Sequence, residues 1–149
     1  MDIRVAAYGV IIRDGHILLS HWNEHGRNAW ALPGGGLEGD ENPAQTAIRE
    51  IFEETGYHAA LDVLLGIDNH IIGSHSRLPG AVARPLNTIR IVYRAHIISG
   101  ELAHERGGSS DEARWVPLAE LAGLKTVELV RTGLALNEAQ PANGILIER

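Results

Sequence analysis

The chain has 149 residues, 44% hydrophobic and 21% charged, with a formal net charge of −6. That balance predicts one globular domain over residues 1–149, with no apolar run of membrane-spanning length and no charged-then-apolar leader. The absence of cysteine rules out disulfides and thiolate zinc sites and suits a reducing cytoplasm, while the acidic charge argues against a broad nucleic-acid surface.

Residues 3–12 read as a largely buried strand, reversed by Asp14-Gly15 into a returning strand at 17–21. His21 and His25 stand four apart, as two ligands on one helical turn would. Trp22-Asn23-Glu24 and Gly26 read as loop, which argues against a metal pair. Residues 30–32 predict a short strand ended by Pro33. Gly34, Gly35 and Gly36 then allow the backbone to approach a ligand closely. Arg27, just before them, is either a phosphate contact or an exposed loop arginine.

A helix follows with a defined start and stop. Asn42 suits the N-cap, Pro43 the first helical position, Gln45 the capping-box partner and Gly56 the left-handed residue after the last turn. At about 100° per residue, Glu50, Glu53 and Glu54 fall within one arc, with Arg49 on its flank. Ala44, Ala47, Ile48, Ile51 and Phe52 occupy a separate arc suited to burial. Three like charges near a helix C-terminus repel one another and oppose the helix dipole. A bound Mg²⁺ or Mn²⁺ removes both penalties, since such cations take carboxylate oxygens. The alternative is a solvated acidic face.

Beyond the helix, residues 59–67 read as a strand and 68–86 as a long connection, a length often tied to function. Within it His70, His75, Arg77 and Arg84 are candidates for substrate contact. Residues 88–98 form a clear alternating strand with Arg90, Arg94 and His96 on one face. That face is either a partly wet sheet surface or a lining of the substrate cleft. Residues 101–110 read as a polar loop, 118–124 as a short helix and 127–137 as a closing amphipathic helix.

The glycine loop and acidic helix together match G-x5-E-x7-R-E-U-x-E-E-x-G-U, where U is a bulky aliphatic residue. Gly35, Glu41, Arg49, Glu50, Ile51, Glu53, Glu54 and Gly56 all stand at the required spacing, and only Tyr57 departs. The stretch therefore resembles the Nudix box, and the chain resembles a MutT-like Nudix hydrolase. The resemblance implies an α/β/α sandwich with a mixed β-sheet between helices. It further implies Glu50 and Glu54 as principal metal ligands, with the Gly34 carbonyl, Glu53 and Glu112 completing the set. Glu112 is the expected carboxylate from outside the helix, with Glu105 as runner-up. Glu53 or Glu112 would act as base, Arg49 would orient a neighbouring glutamate, and Glu41 would steady the loop.

The implied reaction is metal-dependent hydrolysis of a nucleoside diphosphate linked to another moiety, such as a (d)NTP, a nucleotide sugar or ADP-ribose. Arg27, His70, Arg77, Arg84 and Arg90 are the substrate-binding candidates. Trp22, Tyr8 and Tyr93 either stack a base or pack in the fold. A homodimer is possible, as in many relatives. A non-hydrolysing nucleotide-binding domain is the alternative function, and isomerisation of an isoprenoid diphosphate is a third.

Overall fold

Two tight reversals organise the first half of the chain. Asp14 and Gly15 have φ of 51° and 73°, and His25 and Gly26 have 52° and 76°. Positive φ at both central residues gives a two-residue turn the twist that antiparallel strands need. The computed structural model describes residues 1–73 and 84–146. The strands are β1 (Asp2–Val10), β2 (Ile12–Arg13), β3 (His16–Glu24), β4 (Arg27–Ala31), β5 (Gly34–Gly36), β6 (Tyr57–Ile72), β7 (Leu86–Gly100) and β8 (Ser110–Pro117). Helix α1 (Pro43–Thr55) lies between β5 and β6, and α2 (Glu128–Ala139) follows a 3₁₀ turn at Leu118–Gly123. Trp22, Asn23 and Glu24 thus extend β3, where a loop was expected, and His25 sits at a hairpin tip.

One sheet is mixed, in the order β5-β1-β7-β6, with β1 and β7 parallel. The other is antiparallel: β2 and β4 pair with β3, and β8 also pairs with β3. Alternation along the strands sends side chains to two helical layers. Ala7, Ile11, Leu18 and Ile91 lie in clusters with Ala47 and Ile51 of α1. Val10, Leu19 and Val92 pack instead with Leu129, Val130 and Leu136 of α2. The result is the expected α/β/α sandwich. Among the described residues no helix is long and apolar enough to cross a membrane.

Helix α1 begins and ends as its sequence predicts. The Asn42 side chain accepts from the Gln45 N–H, and the Gln45 side chain accepts from the Asn42 N–H, each at 2.9 Å. Gly56, at φ 80°, donates its N–H to the Phe52 carbonyl at 2.9 Å. The buried face, however, is rotated from the expected one. Thr46, Ala47, Ile51, Glu54 and Thr55 are buried, whereas Ile48 and Phe52 are exposed. The Ala47–Ile51 line beds on the sheets, leaving Ile48 and Phe52 on the outer flank, where Phe52 stacks on His58 at 4.4 Å. Ile51→Ala is expected to destabilise the protein by about 2–5 kcal/mol, as for a fully buried large-to-Ala change. Urea unfolding checks this; a loss below 1 kcal/mol would show that Ile51 does not anchor the helix.

The β6–β7 ribbon is longer than expected. Asp68, Asn69 and His70, assigned to a loop from their polarity, continue β6 and pair with Arg90, Ile89 and Thr88. The ribbon's register shifts at three places, between His58 and Ala59, Leu61 and Val63, and Leu64 and Gly66. His75 and Arg77 lie outside the described residues.

Candidate active site

Strand β5 and the C-terminal half of α1 face each other across a narrow gap. Gly34 has φ 154°, and a Cβ there would fall 2.3 Å from the Ala7 carbonyl oxygen, so only glycine fits against β1. A Cβ at Gly35 would lie 2.7–2.9 Å from the Glu50 carboxylate, so the bare backbone seats that side chain. The glycine strand and the acidic stripe border a cleft of about 770 Å³, also lined by Ser20, Trp22, Glu105, Ser110 and Glu128. That volume is in the range of a small-molecule site.

Glu54 is buried, with Oε2 accepting from Ser20 Oγ at 2.8 Å and Oε1 from the Gly34 N–H at 3.0 Å. Burial pushes its carboxyl up to about 8, against those two hydrogen bonds and with the Glu50 and Glu105 charges adding to the rise. Burial also raises Glu50, with Glu53 contributing, while Arg49 opposes the shift. Glu105 is raised by burial and by the charges of Glu50 and Glu53.

Arg49 ties the loop to the helix. Its Nε and Nη2 grip the two Glu41 oxygens at 2.8 and 2.7 Å. Nη1 donates to Glu50 at 3.0 Å and to both Glu53 oxygens at 3.2 Å, and Nη2 reaches the Gly36 carbonyl at 3.2 Å. Glu41 also accepts from the Glu38 N–H at 2.9 Å and Thr46 Oγ at 2.8 Å. The Arg49 hydrogen bonds hold the Glu41 carboxyl down at about 2. The loop-steadying place expected for Glu41 is where its carboxylate sits.

Glu112 does not join this group. On β8 it pairs with His21, on the sheet face opposite Ser20 and Leu18, which face α1. Its carboxylate accepts from Arg114 at 2.8 and 3.0 Å. Glu105 is the carboxylate from outside the helix that lines the cleft. Arg27 and His70 line it too, whereas Arg84 lies outside its lining and pairs with Asp2 at 3.0 Å. Arg90 lines the cleft with its charge already engaged: it grips both Asp68 oxygens at 2.8 Å and also bonds Glu128. Arg94 and His96 are carried past Val92 and away from the cleft, and His96 pairs with Asp62 at 2.7 Å. Trp22 and Tyr8 border the cleft; Tyr93 packs beside the cluster under α1. Tyr57, the departure in the motif, is buried, and its hydroxyl accepts from Trp115 Nε1 at 3.1 Å.

Sequence reasoning did not single out Ser20 or Glu128. Ser20 shows only as a polar break in a buried strand, and Glu128 only as an acid in the first turn of a helix.

Among the described residues, no three acidic or imidazole side chains are already gathered as a coordination shell. Glu50 and Glu53 turn onto Arg49, and Glu54 onto Ser20 and Gly34. The donor set still suits a hard divalent cation. Its members are all oxygen, and three carboxyls are raised by burial and mutual charge, a penalty that a cation relieves.

A mixed sheet between helices, with an acidic helix facing a glycine strand across a cleft of small-molecule size, defines an α/β/α domain. The chain belongs to the NUDIX domain family, which it matches over residues 3–133. It is 35% identical over 121 residues to an ADP-ribose pyrophosphatase of Methanocaldococcus jannaschii, covering 80% of this chain and 65% of that protein. The fold superposes on a NUDIX hydrolase from Nitrosomonas europaea with TM-score 0.78 and 21% identity, covering 99% and 98% of the two chains. A MutT NUDIX hydrolase from Burkholderia pseudomallei gives TM-score 0.72 at 28% identity, covering 91% and 98%. The matches span 40% to 65% of the length of the first curated relatives.

Proposed function

We propose that this protein is a divalent-metal-dependent hydrolase that splits the pyrophosphate link of a nucleoside diphosphate joined to another group. The observation that carries the reading is the stripe Glu50, Glu53 and Glu54 sharing one cleft with Glu105 and the glycine strand. A relative named an ADP-ribose pyrophosphatase supports the substrate class, in which we include nucleotide sugars and (d)NTPs. The absence of cysteine from the sequence supports a reducing, cytoplasmic setting.

Glu50 and Glu54 are the principal metal holders, joined by the Gly34 carbonyl, Glu53 and Glu105. When bound there, Mg²⁺, or Mn²⁺ as substitute, would neutralise charge on the diphosphate and make the attacking water more acidic. The residues do the rest. Arg49 holds Glu50 and Glu53 in line through charge-assisted hydrogen bonds. Glu105 or Glu53 accepts the proton of the attacking water, since both carboxylates line the cleft. Arg27 and His70 supply cationic and hydrogen-bonding groups for the phosphates, and Trp22 an aromatic edge for the base.

Purified protein with Mg²⁺ is expected to release phosphate, pyrophosphate or a nucleoside monophosphate from at least one member of a nucleotide panel. Chelator, or Glu53→Gln combined with Glu54→Gln, should abolish the release. Binding without turnover across the whole panel would identify a nucleotide-binding domain instead.

A further inference from the structure

The pairing of β3 with β8 slips by one residue between His21 and Trp22. Up to that point the ladder is regular, with Ser20 opposite Ala113 and His21 opposite Glu112. Continued, it would set Asp111 opposite Trp22, on the cleft side. Ser110 takes that place instead, and Asp111 becomes the extra residue of a β-bulge. Bulges re-aim the side chains beyond them. This one exchanges an aspartate for a serine on the cleft wall.

Asp111 closes the bulge from the far face. Its Oδ1 pairs with His21 Nδ1 at 2.7 Å, and its Oδ2 accepts from Asn23 Nδ2 at 2.8 Å. These two β3 residues flank Trp22, and the Asn23 N–H adds a bond to the Ser109 carbonyl at 2.8 Å. On the cleft side, Glu105 brings its carboxylate against the backbone that leads into β8. Gly108 bears on the same carboxylate so closely that a Cβ there would lie 2.0 Å from Glu105 Oε1. Ser110 itself is 5% exposed, and its hydroxyl has no hydrogen-bond partner among the described residues. A buried hydroxyl left unpaired is a cost to folding, tolerated where another requirement fixes the chain.

We propose that Asp111 is a positioning residue: by clasping the bulge to His21 and Asn23 it fixes the segment Gly108 to Ser110, and through the close seat at Gly108 it holds Glu105 in the cleft facing the acidic stripe. This rests on the assignment of Glu105 to the metal-dependent site made above. A bulge of merely structural use would leave Glu105 in place when the clasp is cut.

The test compares Asp111→Ala, Asn23→Ala, Glu105→Gln, Gly108→Ala and the Asp111→Ala/Glu105→Gln double variant in the full chain. Two readouts need no substrate: amide exchange at Ser110, and Mn²⁺ titration followed by water proton relaxation. Asp111→Ala should speed Ser110 exchange at least about 10-fold and weaken Mn²⁺ by about 10-fold, with Asn23→Ala intermediate. Gly108→Ala should copy Glu105→Gln, because the clash falls on a movable carboxylate end and spares the bulge. On a substrate from the panel, Asp111→Ala should lower kcat about 10-fold or more with KM little changed, and the double variant should be no worse than Glu105→Gln. Unchanged Ser110 exchange in both clasp variants, or losses in Asp111→Ala and Glu105→Gln that multiply, overturns the proposal. If the parent turns over no substrate, the hydrolase reading fails, while exchange and Mn²⁺ binding still decide whether the clasp holds Glu105.

Discussion

Replacing Glu54 by glutamine is expected to remove divalent-metal binding and lower turnover by about 100-fold or more, while making the metal-free protein less sensitive to alkaline pH. Partners outside a metal's own ligand shell are worth about 10–100-fold, and a ligand is worth at least as much. The pH effect follows from burial. Folded Glu54 keeps its proton up to about pH 8, whereas in the unfolded chain it lets go near the ordinary 4.5. Between those values the folded state binds more protons, so each rise in pH favours unfolding. The stabilising contribution of neutral Glu54 is therefore complete below about pH 4.5 and is lost as pH climbs through 8. Glutamine stays neutral throughout; its Oε1 can accept from the Gly34 N–H while its Nε2 donates to Ser20 Oγ. Thermal melts from pH 5 to 8.5 should fall for the parent and stay flatter for the variant. Mg²⁺ should raise the parent's melting temperature at pH 8 and leave the variant unmoved. Parallel curves for the two proteins, with equal responses to Mg²⁺, would remove Glu54 from the site.

Arg49→Lys is expected to cost about 10–100-fold in turnover even though the charge is kept. The guanidinium spans three carboxylates and the Gly36 carbonyl at once, with a two-point grip on Glu41. An ammonium offers its three donors from a single point and cannot bridge that width. Arg49→Ala should also destabilise the fold near neutral pH and flatten its response to acid. Glu41 is depressed to about 2 chiefly by its Arg49 hydrogen bonds, so it contributes stability above the ordinary 4.5 that is lost as pH falls toward 2. Without Arg49 that contribution disappears, so the variant trails the parent near neutral pH and the two converge as pH falls toward 2. Salt should narrow the difference because the carboxylate is close to solvent. Steady-state kinetics and acid unfolding at low and high salt check both parts. Full kcat in the lysine variant would reduce Arg49 to an ordinary surface ion pair.

The parts of the site that read correctly from sequence are those settled within a few residues. Asn42, Gln45 and Gly56 cap their own helix, and the acidic stripe follows from helical period alone. Which face of α1 is buried depends on the sheets beneath it, so Ile48 and Phe52 were assigned to the core by their chemistry and lie outside it. From sequence, Glu112 stands ahead of Glu105 as the carboxylate from outside the helix. Strand parity sends its carboxylate to the wrong face, and a one-residue slip two positions away cannot be read from side-chain types. Asp68 and His70 looked like loop because they are polar. They are polar strand residues because one pairs with Arg90 and the other borders the cleft. In each case the missing information lay in a contact distant along the chain.

The broken register of the β6–β7 ribbon has a bearing on solubility. β6 is 16 residues long, forms an outer edge of its sheet, and exposes Val63, Leu64, Ile67 and Ile71. A flat apolar edge of that length is a template on which other chains add strands and build aggregates. Interruptions at Leu61–Val63 and Leu64–Gly66 bend and coil the strand, so that no long straight run of its backbone groups is presented to a neighbour. Asp62 and Asp68 add charge along the same strand, as gatekeepers do beside unavoidable apolar segments. The same irregularity works against edge-to-edge strand addition along β6.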